Sequence, residues 1–128
     1  MRGSRGFTLL ELITVVALIS ILAAIALPQY KVAIIQAKEA TLRENLFRFR
    51  DLIDQYQADK GKYPASLEAL VQEGYLRRIP EDPITKTPDW QEVFAEPDAD
   101  RPGEVPGVFD VKSNSSLSSL SGTPYNEW

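Results

Sequence analysis

The sequence predicts an α+β fold in which a long N-terminal α-helix packs on a small C-terminal antiparallel sheet. Three observations lead to this prediction: a continuous apolar run over residues 7–27, a helical stripe of apolar side chains beyond it, and two short segments of strand composition towards the end. The chain has 128 residues, enough for one compact domain and no more.

The apolar run has the length and composition of a membrane-spanning helix. Its only ionisable residue is Glu11, and at 1.5 Å per residue it forms a helix of about 31 Å, the thickness of a bilayer's hydrocarbon core. Arg2 and Arg5 precede the run, which favours a cytoplasmic N-terminus. We therefore expect residues 7–29 to form a single transmembrane helix, kinked near Pro28 because proline removes a backbone hydrogen bond.

The second half of the helix is amphipathic. Charged residues, Glu39 and Arg50 among them, are expected largely off its apolar stripe, and Gly61 and Pro64 end the helix near residue 59. The stripe consists of Ile35, Leu42, Leu46, Phe49, Ile53 and Tyr56. Its spacings of three, four and seven place it on one helix face, which we expect to pack on the chain's own sheet.

The C-terminal half contains a short helix and a hairpin. Residues 66–73 have helical composition and are followed by Gly74, a suitable helix stop. Residues 90–94 and 105–111 have strand composition, and the acidic stretch 96–104 between them suits an exposed hairpin loop. The Ser-rich end of the chain is predicted to be irregular and held in place by Tyr125 and Trp128.

Composition excludes several classes of function. The chain carries 14 basic and 18 acidic residues, a net charge of −4, which does not suit a polyanion such as nucleic acid. It contains no cysteine and no histidine, so cysteine nucleophiles, disulfides and histidine acid–base chemistry are excluded. Paired-carboxylate, nucleophile-elbow and phosphate-loop patterns are also absent, and the sequence predicts that the protein is not an enzyme.

Two ordinary explanations of the N-terminus leave Glu11 unaccounted for. Ala24-Ile25-Ala26 fits a secretory cleavage site, which would release a soluble binding domain after Ala26. A plain signal anchor is the other explanation. In either case a carboxylate in the apolar run costs about 2.5–3.5 kcal/mol on insertion scales, and such a group is a functional hypothesis by default.

A third explanation accounts for Glu11. The segment GFTLLE at residues 6–11, preceded by a short basic leader, resembles the prepilin peptidase signature of the type IV pilin superfamily, and LPQY around Pro28 is similar to family members at that point. The resemblance implies that leader residues 1–6 are removed by cleavage between Gly6 and Phe7. It also implies N-methylation of Phe7 and an assembly role for Glu11, which would pair with the terminal amine of a neighbouring subunit.

Further motifs are similar to those of the major pseudopilin of type II secretion. They are Tyr63-Pro64, Gly74-Tyr75-Leu76 and Ile79-Pro80-x-Asp82-Pro83. This resemblance implies a structural subunit of a pseudopilus that drives protein export across the outer membrane. The implied partners are other copies of the chain, minor pseudopilins, prepilin peptidase, an inner-membrane assembly platform and membrane lipid.

The same resemblance implies a bacterial inner-membrane protein with a periplasmic domain over residues 30–128. A pilin of a type IV or DNA-uptake filament is the alternative within this superfamily.

One family feature fits this sequence poorly. Major pseudopilins typically bind calcium in the C-terminal loop, and calcium requires about six to eight oxygen ligands, several of them carboxylates. Here no acidic residue lies between Asp110 and Glu127. The sequence therefore predicts no cofactor, with at most a weak calcium site near Asp110.

Overall fold

The computed structural model describes residues 5–128, and the α+β fold class predicted from the sequence is confirmed. The elements are helices α1 (Leu9–Lys60) and α2 (Leu67–Gln72), strands β1 (Trp90–Phe94) and β2 (Val108–Ser113), and a 3-10 turn at Tyr125–Glu127. The strands form a two-stranded antiparallel sheet. The described residues divide into two compact units, one ending at Ile35 and the other comprising Gln36–Trp128.

Helix α1 is one continuous helical segment of 52 residues. It begins two residues after the predicted start, and its helical assignment continues through Pro28, so a kink there stays a prediction. The helix ends where Gly61 adopts a φ of +74°, a left-handed conformation that glycine enters without steric penalty. The Gly61 N–H donates to the Gln57 carbonyl at 2.8 Å, which completes the last turn.

The first unit buries none of its described side chains. Every residue from 5 to 35 is exposed, including the whole apolar run. The N-terminal part of α1 is long and apolar enough to cross a membrane. Its apolar surface is therefore available to lipid or to other helices.

The apolar stripe packs as predicted from Leu42 onwards but differs at its N-terminal end. Leu42 and Ile53 are fully buried, whereas Ile35 is 36% exposed. Glu39, which we expected off the stripe, is only 9% exposed. It lies four residues after Ile35 and three before Leu42, so helical periodicity places its carboxylate on the buried face.

The sheet closes over this stripe. Strand β1 matches the predicted residues, while β2 begins at Val108 rather than 105. Pro106 has no N–H to donate to a ladder, and the backbone of Gly107 lies so close to Tyr63 that a Cβ would come 2.6 Å from its carbonyl oxygen. The regular strand therefore begins only at Val108, whose N–H donates to the Pro64 carbonyl at 2.7 Å, although the Gly107 carbonyl accepts a hydrogen bond from the Ala95 N–H at 2.8 Å. The register shifts between Val93 and Phe94.

The core of the second unit joins α1, α2, the sheet and the C-terminal turn. Phe49 packs edge-on against Trp90 with ring centroids 5.0 Å apart. Tyr125 is 4% exposed and packs on Trp128, which confirms that these aromatic residues hold the end of the chain. The buried apolar residues are Leu42, Leu46, Phe49, Ile53, Tyr56, Leu67, Leu70, Trp90, Val108, Val111 and Tyr125.

Candidate functional site

The predicted processing residues lie in an exposed segment just before α1. Gly6 and Phe7 have no regular secondary structure, and Phe7 is 85% exposed. The peptide bond between them is therefore open to a protease. Arg2 and the other leader residues up to position 4 lie outside the described residues.

Glu11 belongs to a capping box at the start of α1. The Thr8 N–H donates to Glu11 Oε2 at 3.3 Å, and the Glu11 N–H donates to Thr8 Oγ1 at 3.1 Å. This reciprocal pair satisfies two of the four amide donors that a helix N-terminus leaves without a partner. Glu11 thus has a local structural role in the single chain, and its role in assembly stays a prediction.

Sequence reasoning missed the contribution of Thr8. The signal was present, because a Thr followed three residues later by Glu at the head of an apolar run is the capping-box pattern. The box fixes where the helix begins, and it directs the Glu11 carboxylate back towards the N-terminus of the chain.

The remaining predicted residues lie elsewhere. Pro28 is an exposed residue of α1, seventeen positions beyond Glu11 and about 25 Å along the helix axis. The structure therefore groups Gly6, Phe7 and Glu11 near one helix end, with Pro28 several turns away. Asp110 is a residue of β2 in the second unit.

The surroundings of Asp110 do not fit a calcium ion. Asp110 Oδ1 accepts hydrogen bonds from Arg50 Nε and from the Val111 N–H, each at 2.8 Å. The Arg50 guanidinium already supplies a positive charge to this carboxylate. No group of three or more metal-ligating side chains occurs within residues 5–128. Calcium takes about six to eight oxygen ligands, whereas the Asp110 carboxylate already faces the positive charge of Arg50.

A buried carboxylate holds the Ser-rich end of the chain from the other side. Glu39 Oε1 accepts a hydrogen bond from the Leu120 N–H at 2.9 Å and another from the Tyr125 hydroxyl at 2.8 Å. Burial, together with the hydrogen bond to Glu39, raises the pKa of Tyr125 to about 12. No motif predicted these contacts, although a glutamate at a stripe position was a usable signal.

Comparison with known proteins supports the N-terminal assignment. Residues 1–27 match the model of the prokaryotic N-terminal methylation motif. No solved structure matches the chain. The predicted leader and cleavage site, Glu11 and the whole apolar run fall inside the matched segment.

Several curated relatives carry the name type II secretion system core protein G. The Pseudomonas aeruginosa protein is 34% identical over a 98-residue alignment that covers 64% of this chain and 69% of the relative. The Klebsiella michiganensis protein is 30% identical with the same coverage, and the Vibrio cholerae protein is 32% identical, with 65% and 67% covered. Together with the methylation motif, these similarities show that the chain belongs to the family of type II secretion system core protein G, the major pseudopilins.

Proposed function

We propose that the chain is a structural subunit of a type II secretion pseudopilus, a filament that polymerises through its N-terminal helix to drive export across the outer membrane. In this proposal prepilin peptidase cuts between Gly6 and Phe7 and methylates the new Phe7 amine. Residues 7–29 then serve as membrane anchor and filament core, and residues 30–128 form the periplasmic domain. The protein acts by assembly and carries out no catalysis.

The observation that carries the proposal is the exposed apolar run over residues 7–27, most of which lies in α1. Thirteen large apolar side chains between Phe7 and Leu27 are exposed. Burying each is worth about 1.5–3 kcal/mol, so together they represent on the order of 20–40 kcal/mol. A whole domain is stable by only about 5–15 kcal/mol. Such a surface does not remain in water, and lipid before assembly and neighbouring helices afterwards would cover it.

Glu11 distinguishes this helix from an inert anchor. In the filament the apolar helices exclude water, and a carboxylate buried there requires a cation or several hydrogen bonds. The methylated Phe7 amine of a neighbouring subunit remains protonated and would supply the charge. A slip in register leaves one charge without a partner, so the pair selects a single axial register.

The partners and the location follow from this mechanism. A cytoplasmic N-terminus, favoured by Arg2 and Arg5, places the second unit in the periplasm and the chain in the bacterial inner membrane as a single-pass protein. Subunits would be drawn from the membrane by an inner-membrane assembly platform. Minor pseudopilins of the same architecture would share the filament.

Intact-mass measurement of the protein extracted from membranes tests the proposal. We expect a chain that begins at Phe7 and carries one additional methyl group. The matched control is the same chain expressed without prepilin peptidase, which should retain residues 1–6 and no methyl group. A product that begins at Leu27 would show secretory cleavage after Ala26 and overturn the proposal.

A further inference from the structure

The last sixteen residues fold back on themselves with little regular structure. The Tyr125 N–H donates to the Leu117 carbonyl at 3.0 Å, and the Asn126 N–H donates to the Ser115 carbonyl at 3.0 Å. A single bridge joins Ser118 to Pro124. Six backbone hydrogen bonds in all lie within the segment and set its local shape, whereas contacts with the rest of the second unit set its position on the domain.

Arg50 provides a fixed cation where the segment ends. Its Nε binds Asp110 at 2.8 Å, and its Nη2 donates to the Trp128 backbone oxygen at 2.8 Å and to the Val111 carbonyl at 3.4 Å. One carboxylate and two backbone oxygens therefore converge on a single positive group. A carboxylate with backbone carbonyls is also the type of donor set that calcium uses, but here a guanidinium occupies its centre.

The buried carboxyl groups of Glu39 and Asp82 accept hydrogen bonds from the segment. Glu39 binds the middle of the segment through Leu120 and Tyr125. Asp82 is fully buried, and its Oδ2 accepts a 2.5 Å hydrogen bond from the Ser113 hydroxyl at the start of the segment. Every buried side-chain nitrogen and oxygen among the described residues has a hydrogen-bond partner. Among the described side chains, no buried oxygen therefore lacks a partner that a metal ion would have to replace.

We propose that Arg50 and Glu39, both carried by α1, order residues 113–128 in place of a divalent cation, so that the C-terminal segment of this subunit folds independently of calcium. Asp82 fixes the start of the segment, Glu39 its middle and Arg50 its end. All three anchors lie in the second unit, and the proposal does not depend on which filament the chain builds.

The choice of a guanidinium has a physical consequence. Arginine stays charged at all ordinary pH values and belongs to the chain itself. Ordering the segment therefore does not require a free ion to lose translational entropy. A calcium site would make the fold depend on the calcium concentration around it. The arrangement with Arg50 removes that dependence.

Limited proteolysis of the full-length chain in detergent micelles tests the proposal. Trypsin cleavage after Lys112 releases residues 113–128 as one peptide, because no Lys or Arg follows. Lys112 lies near the end of β2, so the rate reports how often the end of this strand and the segment open together. For the wild type we expect the same rate in millimolar calcium and in EDTA, when each rate is divided by the activity of trypsin on a small peptide substrate under the same condition. Arg50→Ala and Glu39→Ala should release the peptide roughly tenfold to a hundredfold faster.

Matched controls lie on the same helix. Arg48→Ala and Glu44→Ala each remove an exposed charge from a 3.9 Å pair and should leave the rate unchanged. Glu39→Gln keeps an acceptor oxygen, and Arg50→Lys keeps the charge without the forked geometry, so both should give intermediate rates.

Slower cleavage or a higher melting temperature of the wild type in calcium than in EDTA would overturn the proposal, and this comparison needs no variant to fold. Wild-type cleavage rates in both Arg50→Ala and Glu39→Ala would overturn it equally.

Discussion

The two roles of Glu11 can be separated by substitution. Glu11→Gln removes the charge but keeps a side chain that suits the capping box, since glutamine replaces glutamate at this position. Thr8→Ala does the reverse, because it removes the hydroxyl that accepts the Glu11 N–H at 3.1 Å and leaves the carboxylate in place. Glu11→Val removes the charge and the acceptor of the Thr8 N–H, and leaves the backbone N–H that donates to Thr8 Oγ1.

The expected magnitudes of the two roles differ. Two unit charges 4 Å apart attract by about 4 kcal/mol at an effective dielectric constant of 20, which corresponds to roughly a thousandfold in the association constant of a docking subunit. Loss of a helix cap costs about 0.5–2 kcal/mol. The charge should therefore dominate assembly, and the cap should have a smaller effect on the start of α1.

Filament yield, measured by shearing or cross-linking and normalised to the amount of subunit in the membrane, is the appropriate assay. We expect Glu11→Gln and Glu11→Val to be cut and methylated normally and to assemble poorly. Thr8→Ala should assemble close to wild type, and Glu11→Asp should be intermediate because the charge remains on a shorter side chain.

Normal filament yield from Glu11→Gln would refute the charge-pair reasoning. A Thr8→Ala variant that assembles as poorly as Glu11→Gln would refute the expectation that the charge dominates assembly, since loss of the cap alone would then cost as much as loss of the charge.

Three further predictions concern processing, the core and pH. Gly6→Val should retain the leader and form no filaments, because the peptidase requires a residue without a side chain before the cut; intact mass and filament yield check this. Phe49→Ala should lower the free energy of unfolding in micelles by about 3–5 kcal/mol, because the ring is 1% exposed, while Phe47→Ala, which alters a 67% exposed ring, should change it little. A thermal melt unaffected by Phe49→Ala would show that the stripe does not pack in its own domain. The pKa of Tyr125 is about 12 in the folded state against 10.0 ordinarily, so the folded chain binds the hydroxyl proton more tightly than the unfolded chain does. The resulting contribution to the free energy of unfolding is complete below pH 10 and is lost as pH rises through 12. Urea midpoints of Tyr125→Phe should therefore fall less steeply than those of the wild type over that range, and equal slopes would contradict the assignment.

Local patterns allowed the elements to be predicted closely from the sequence. Helix α1 was identified because its apolar spacing continues over many turns and Gly61 stops it. Strand β1 was predicted at its observed bounds. The start of β2 was misplaced because the chain at Gly107 and Val108 packs closely on Tyr63 and Pro64 before the regular strand begins, and these contacts join residues far apart in the sequence.

The polar anchors could not be predicted for the same reason. Glu39 accepts hydrogen bonds from Leu120 and Tyr125, which lie 81 and 86 residues further along the sequence. Arg50 donates to Trp128, which lies 78 residues further along. Helix periodicity states which face Glu39 occupies but not which donors face it. A charged residue at a stripe position was the available signal, since a buried carboxylate without partners is too costly to persist.

Glu11 and Glu39 lie on the same helix, and the carboxyl group of each requires hydrogen-bond or charge partners wherever it is buried. The two residues obtain these partners in different ways. Glu39 is buried by its own chain and receives both of its donors from that chain, so its requirement is met at folding. Glu11 is exposed, and its carboxylate accepts from only the Thr8 N–H among the described residues, so burial in a helix bundle leaves it in need of a cation. Removal of Glu39 should therefore impair folding at any subunit concentration, whereas removal of the Glu11 charge should impair only the step that buries it. The membrane abundance of Glu11→Gln against that of Glu39→Ala tests this distinction, and reduced abundance of Glu11→Gln would contradict it.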